Sequence, residues 1–148
     1  MPHEAAIDTT VLQRANVPLT PDRVAATLLA RRLSLLQSIF DNEICVLISR
    51  RLAHEYSQQL RVQKNEAVRA FIELVTRADG AHVIFNWLKQ WSGRDRERAR
   101  RCRYPAEDDH VLRTAIRGEP TVIYTEEERM LKVDACIYRQ FRVHIKQP

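Results

Sequence analysis

The chain has 148 residues, 45% hydrophobic and 29% charged, with 24 Lys and Arg against 19 Asp and Glu for a formal net charge of +5. That is one domain's worth of chain, apolar enough for a continuous core without disulfides or structural metal, and its basic balance is compatible with a polyanionic partner. Cys45, Cys102 and Cys136 are far apart and lack zinc-site spacing, no run approaches the length of a membrane span, and the first 15 residues lack a basic-then-apolar leader, so a reduced, full-length cytoplasmic protein with no membrane contact is expected.

In chain order, Ala5-Ala6-Ile7-Asp8-Thr9-Thr10-Val11-Leu12 is a short apolar run consistent with a buried strand that stops at Asp8, placing an acid at a strand end. Thr20, Pro21 and Asp22 give a helix start, followed by Val24, Leu28, Leu35 and Ile39 at helical spacing as far as about Asp41-Asn42. The unbroken run Ile44-Cys45-Val46-Leu47-Ile48 suits a strand covered on both faces, as in a parallel sheet. Ser49 can cap the next helix, in which Leu52, Tyr56 and Leu60 share a face with Glu55 beside them. Another helix is expected from about Asn65 to Ala78, broken by Asp79-Gly80. The stretch Ala81 to Trp91 fits neither period cleanly and is read as helix, and Arg94 to Arg103 is strongly basic. After Pro105, Val111, Leu112, Ala115 and Ile116 form a helical stripe that Gly118 can end, with Glu107, Asp108 and Asp109 in its first turn. Thr121 to Tyr124 reads as a strand, Glu126 to Lys132 as a short helix and Phe141 to Ile145 as a last strand. Strands alternating with helices predict a single α/β domain over residues 1–148 with a central parallel sheet.

Sorted by place, Asp8 ends the first strand, Glu55 lies in the helix after the second, Asp108 and Asp109 open a later helix, and Glu126 to Glu128 follow the next strand. In open α/β sheets the crevice beyond the carboxyl ends of the strands is where ligands bind, and acids gathered there repel one another unless cations neutralise them. Oxygen ligands favour magnesium or manganese. Taken singly, Glu55 reads as a solvated helix residue, and Asp108, Asp109 and Glu126 to Glu128 as caps or dipole partners. The joint pattern is what points to a site.

That pattern resembles the PIN-domain family. Ile7-Asp8-Thr9-Thr10-Val11-Leu12 is similar to its opening motif, with Thr10 in place of the usual Asn. Leu47-Ile48-Ser49 followed by Leu52-Ala53-His54-Glu55-Tyr56 resembles the second motif, where a strand feeds a helix carrying an acid, here Glu55. The segment Glu107 to Ala115 resembles the third; counting back from Ala115 favours Asp108, with Asp109 left open. Val122-Ile123-Tyr124-Thr125-Glu126-Glu127 resembles the fourth, with Glu127 replacing an aspartate. The four motifs fall in the family's order over nearly the whole chain.

The resemblance implies a PIN-like three-layer α/β/α domain that hydrolyses RNA phosphodiester bonds through Mg²⁺ or Mn²⁺. Asp8 and Asp108 would be principal metal ligands and Glu55 and Glu127 would complete the catalytic site, with Ser49 and Thr125 as hydrogen-bond partners that orient ligand carboxylates. It also implies a homodimer, and the toxin half of a toxin–antitoxin pair with an antitoxin protein as partner. Arg94, Arg96, Arg98, Arg100, Arg101 and Arg103 precede the third motif and either hold a nucleic-acid backbone or pair internally with Asp95 and Glu97. Trp87 and Trp91, one helical turn apart, suit a core or dimer contact, with base stacking as the alternative. For His54 and His110, beside proposed ligands in sequence, an exposed or hydrogen-bonded role is expected. Two other functions stay open: a PIN-fold RNA-binding or protein-interaction module whose chemistry is weakened by the changes at Thr10 and Glu127, and a DNA nuclease.

Overall fold

A computed structural model of the protein describes residues 2–24, 27–77, 82–88 and 91–148. Among them, strands β1 (His3–Ile7), β2 (Ile44–Ile48), β3 (Val83–Phe85), β4 (Thr121–Tyr124) and β5 (Val143–Lys146) form one all-parallel sheet in the order β3-β2-β1-β4-β5. All five residues of β2 are buried, as a strand covered by helices on both faces requires. Helices α1 (Thr9–Ala15), α2 (Pro21–Val24) and α3 (Thr27–Phe40) follow β1; α4 (Arg50–Gln59) and α5 (Glu66–Arg77) follow β2. Then α6 (Gly93–Arg101), a 3-10 turn at Ala106–Asp108 and α7 (Asp109–Ala115) lead to β4, and α8 (Glu128–Leu131) and α9 (Asp134–Phe141) lead to β5.

α1, α3 and α5 pack together, while α7 lies over β1, β2 and β4 and α6 packs on α9, giving the α/β/α layering. Chain order runs outward from β1 to β3 and then returns to the other side at β4, so the strand order, though not the strand direction, reverses between β1 and β4. The carboxyl ends of those two strands therefore flank the crevice that such a reversal opens.

Several expected elements change in detail. Asp8 ends β1, but Thr9 to Leu12 turn into α1, whose buried Thr9, Val11, Leu12 and Ala15 follow a helical period. Seven residues gave too short a window for that period to stand out from an apolar strand. Leu28, placed on the buried stripe of the second element, is 60% exposed, and Leu29, Leu35, Leu36 and Ile39 form the stripe instead. Ser49 caps α4 as expected, accepting from the Leu52 amide at 3.3 Å. Asp79 and Gly80, the expected break after α5, lie outside the described residues. Within the helix expected over Ala81 to Trp91, of which Ala81, Lys89 and Gln90 lie outside the described residues, Val83 to Phe85 form the edge strand β3 in register with Val46 to Ile48; three apolar residues, Val-Ile-Phe, are too few to reveal a period. The last strand starts at Val143 because Phe141 ends α9, and Arg142 turns the chain through the left-handed region at φ 59°.

The expectation of reduced cysteines is corrected: Cys102, at the end of α6, is bonded to Cys136 in α9, with Cα atoms 5.5 Å apart. The partners are 34 residues apart and meet only because α6 packs on α9, so no local spacing announced the bond. Cys45 is a buried free thiol. No described helix is long and apolar enough to cross a membrane.

Closing a loop of 34 residues restricts the unfolded chain enough to stabilise the fold by about 4 kcal/mol on the chain-entropy account. Replacing both Cys102 and Cys136 by Ala is therefore expected to lower the unfolding free energy in urea by about 3–4 kcal/mol, and dithiothreitol to do the same to the wild type.

Candidate functional site

Asp8 follows the last residue of β1 and holds the N-cap position of α1, yet makes no capping hydrogen bond from its side chain. Its Oδ2 instead accepts from the Thr10 and Thr125 hydroxyls, each at 2.7 Å, which reach it from α1 and from the end of β4. The residue is 4% exposed. Burial pushes the carboxyl above the usual aspartate range, with the two hydroxyls pulling the other way and the nearby Glu55 charge adding to the rise.

Glu55 comes from α4, and its oxygens are taken by two neighbours. The Thr9 hydroxyl donates to Oε1, and Nε2 of His110 lies 2.6 Å from Oε2. The His110 hydrogen bond holds Glu55 below its ordinary value against the opposing effect of burial. His110 sits on the buried face of α7, and its Nδ1 has no hydrogen-bond partner among the described residues, so the ring's one polar tie is to Glu55.

Asp108 precedes α7 at the end of the 3-10 turn and is pushed up to about 6, first by burial and then by the negative charges of Asp8, Glu107 and Glu127. Its neighbour Asp109 lies 2.5 Å from the Arg100 guanidinium. Glu127, beyond β4, accepts from the backbone and side chain of Arg129, both at 3.3 Å, and Arg129 also reaches Glu107. Glu126 is held by Arg32 at 2.6 and 2.7 Å.

Asp8, Glu55, Asp108 and Glu127 thus come from four parts of the chain and line one cleft of about 490 Å³, with Thr9, Thr10, Arg51 and His54 among its walls. Asp109 is absent from that lining. Ser49 also departs from its expected role: it is fully buried and accepts from the Leu52 amide and from the Thr114 hydroxyl at 2.8 Å, tying α4 to α7 rather than orienting a carboxylate. Thr125 does hold Asp8.

The donor set is all oxygen, apart from the histidines beside it, which is chemistry suited to a hard divalent cation. As arranged here, however, no three His, Cys, Asp or Glu side chains among the described residues converge as a ready ion cage. Glu55 and Glu127 are engaged by His110 and Arg129, and to serve as ligands they would have to turn from those partners.

None of the six arginines lines the cleft. Arg98 pairs with Asp95 and stands over the Phe141 ring, Arg100 with Asp109 and Arg101 with Glu97, while Arg94, Arg96 and Arg103 are exposed and form no ion pair among the described residues. Arg94 to Arg101 lie on α6, which packs on α9, and Arg103 follows it. What the sequence did not flag is Thr9, Arg51 and the pairing of His110 with Glu55. Recognising α1 would have turned Thr9 inward, and the i, i+4 relation of His110 to Thr114 marks the buried face of α7.

No protein-family model, no curated protein and no solved structure matches the chain.

Asp108 titrates higher in the fold than in the unfolded chain, so its ionisation costs stability: the native state is favoured below the unfolded value near 4 and loses that advantage as the pH rises through about 6. Asp108→Asn is expected to raise the melting temperature by roughly 2–4 °C at pH 7.5, and by much less at pH 4, where Asp108 is protonated in the fold and about half ionised in the unfolded chain.

Proposed function

We propose that this chain is a PIN-like, metal-dependent endoribonuclease that hydrolyses RNA phosphodiester bonds with Mg²⁺ or Mn²⁺ held by Asp8, Asp108 and, after reorientation, Glu55 and Glu127. The observation that carries the reading is the meeting of these carboxylates in one cleft at the point where the strand order of the parallel sheet reverses. Asp8 and Asp108 are the acids there whose carboxyls are raised, first by burial and then by neighbouring negative charge, and a carboxylate so placed is one that a cation stabilises.

A bound divalent ion would supply charge neutralisation at the phosphate and a more acidic water for in-line attack. The protein's own part is positioning. Thr10 and Thr125 fix the Asp8 oxygens, Thr9 and His110 set the Glu55 rotamer, and the strap from Arg129 to Glu107 and Glu127 sets the rim opposite.

Glu127 favours a second reading. Its longer arm and its contacts with Arg129 suit a PIN-fold module that binds RNA with weakened chemistry. Cleavage of end-labelled single-stranded RNA separates the two. The nuclease reading expects cutting with Mn²⁺ or Mg²⁺ that is abolished by EDTA, Asp8→Asn and Asp108→Asn, lowered about 10- to 100-fold by Thr125→Ala, and weaker on matched DNA. Binding without cutting under all these conditions would transfer the assignment to the module.

A further inference from the structure

At the same edge of the sheet the chain leaves β3 through Phe85, Asn86 and Trp87. Trp87 is 77% exposed, more than any other large hydrophobic residue described, and its ring centroid lies 4.5 Å from that of Phe85. The residue between them is pinned. The Asn86 amide donates to the Ile48 carbonyl at 2.7 Å, and its side-chain Nδ2 donates to the Thr114 carbonyl at 3.1 Å. The indole is therefore held outward from an anchored strand end, so little freedom is lost when something stacks on it.

Around Trp87 runs a groove of about 900 Å³ whose lining includes Arg50, Arg51 and Arg113 and no acidic residue among those described. Arg51 and His54 line both this groove and the carboxylate cleft, so the two form one continuous surface. The groove is cationic around an exposed aromatic face, and the cleft beside it is anionic. A single strand threaded across both would lay phosphates on the arginines and a base on the indole, and it would present a neighbouring phosphate to the acids.

We infer that the Trp87 groove is a subsite for one unpaired nucleotide of a single-stranded nucleic acid, with the base stacked on Trp87 and the backbone held by Arg50, Arg51 and Arg113. This deepens the nuclease reading and rests on it for the choice of ligand. Duplexes are poor occupants because their base faces are already stacked. Stacking also tolerates any base, so the subsite selects strandedness more than sequence.

The test is binding in EDTA, where cutting plays no part. The chain has two tryptophans, so Trp91→Phe leaves Trp87 as the sole indole reporter. Oligouridine is expected to quench it, and Trp87→Ala to weaken binding roughly five- to a hundred-fold while Trp87→Phe keeps most of the affinity. A strand abasic at the stacked position should lose as much as Trp87→Ala, and a duplex of equal length should bind more weakly than the single strand. Arg50→Ala should flatten the salt dependence of binding by about one phosphate contact. The inference is overturned if oligouridine neither binds nor quenches, if Trp87→Ala binds like the wild type, or if Trp87→Ala abolishes self-association in sedimentation while leaving RNA affinity intact. Metal-dependent cutting with no Trp87 effect sinks the subsite and spares the nuclease; quenching and binding without cutting does the reverse.

Discussion

The carboxylate of Asp8, buried between the ends of β1 and β4, is the constraint on which the rest of the site depends. Taking a carboxylate out of water costs several kcal/mol unless hydrogen bonds or a counter-charge compensate. Here the compensation comes from two hydroxyls, Thr10 and Thr125, which meet only because β1 and β4 are neighbours in the sheet. The cost reaches the helix that follows: α1 forgoes the side-chain cap that an aspartate at that position ordinarily provides. Both strand ends are thereby committed to one oxygen.

The other acids of the region divide by their partners. Glu126 has Arg32, Asp109 has Arg100, and Glu107 and Glu127 share Arg129, so each is neutralised by a guanidinium. Glu55 has His110. Asp8 and Asp108 have no such cation among the described residues, and both are pushed towards the protonated form. A fold that pairs its peripheral acids and leaves the central two unpaired concentrates negative potential in one cleft. The groove beside it carries the opposite sign, with Arg50, Arg51 and Arg113 in its lining.

Much of this was legible in the sequence, for definite reasons. The apolar run Ile44 to Ile48 has no polar alternation, which only a strand buried on both faces tolerates, so the parallel sheet followed from it. Asp8, Glu55 and Glu127 each sit just after a strand or in the helix a strand feeds, and parallel strands bring those places to one edge, whereas Asp108, in the turn before α7, was named through the resemblance of its segment to the third motif. Short or long-range features stayed hidden. β3 and α1 are shorter than the windows in which a period is visible, and α9 was hidden between the short helix and the last strand that were read around it. The Cys102–Cys136 bond and the Glu55–His110 contact join residues 34 and 55 positions apart, distances at which only tertiary packing decides who meets. Ser49 was assigned the wrong partner because a hydroxyl at a strand end suits a cap and a carboxylate equally well, and the fold put Thr114 beside it.

The most direct measurement of the central claim is calorimetric titration of Mn²⁺ into the protein at pH 6 in two buffers of different ionisation enthalpy. If the unpaired Asp8 and Asp108 form a cation site, binding saturates and displaces protons from Asp108, whose carboxyl is pushed up to about 6, so the apparent heat differs between the buffers, and Asp8→Asn removes it. Absence of binding, or binding that releases no protons and survives Asp8→Asn, would contradict the account.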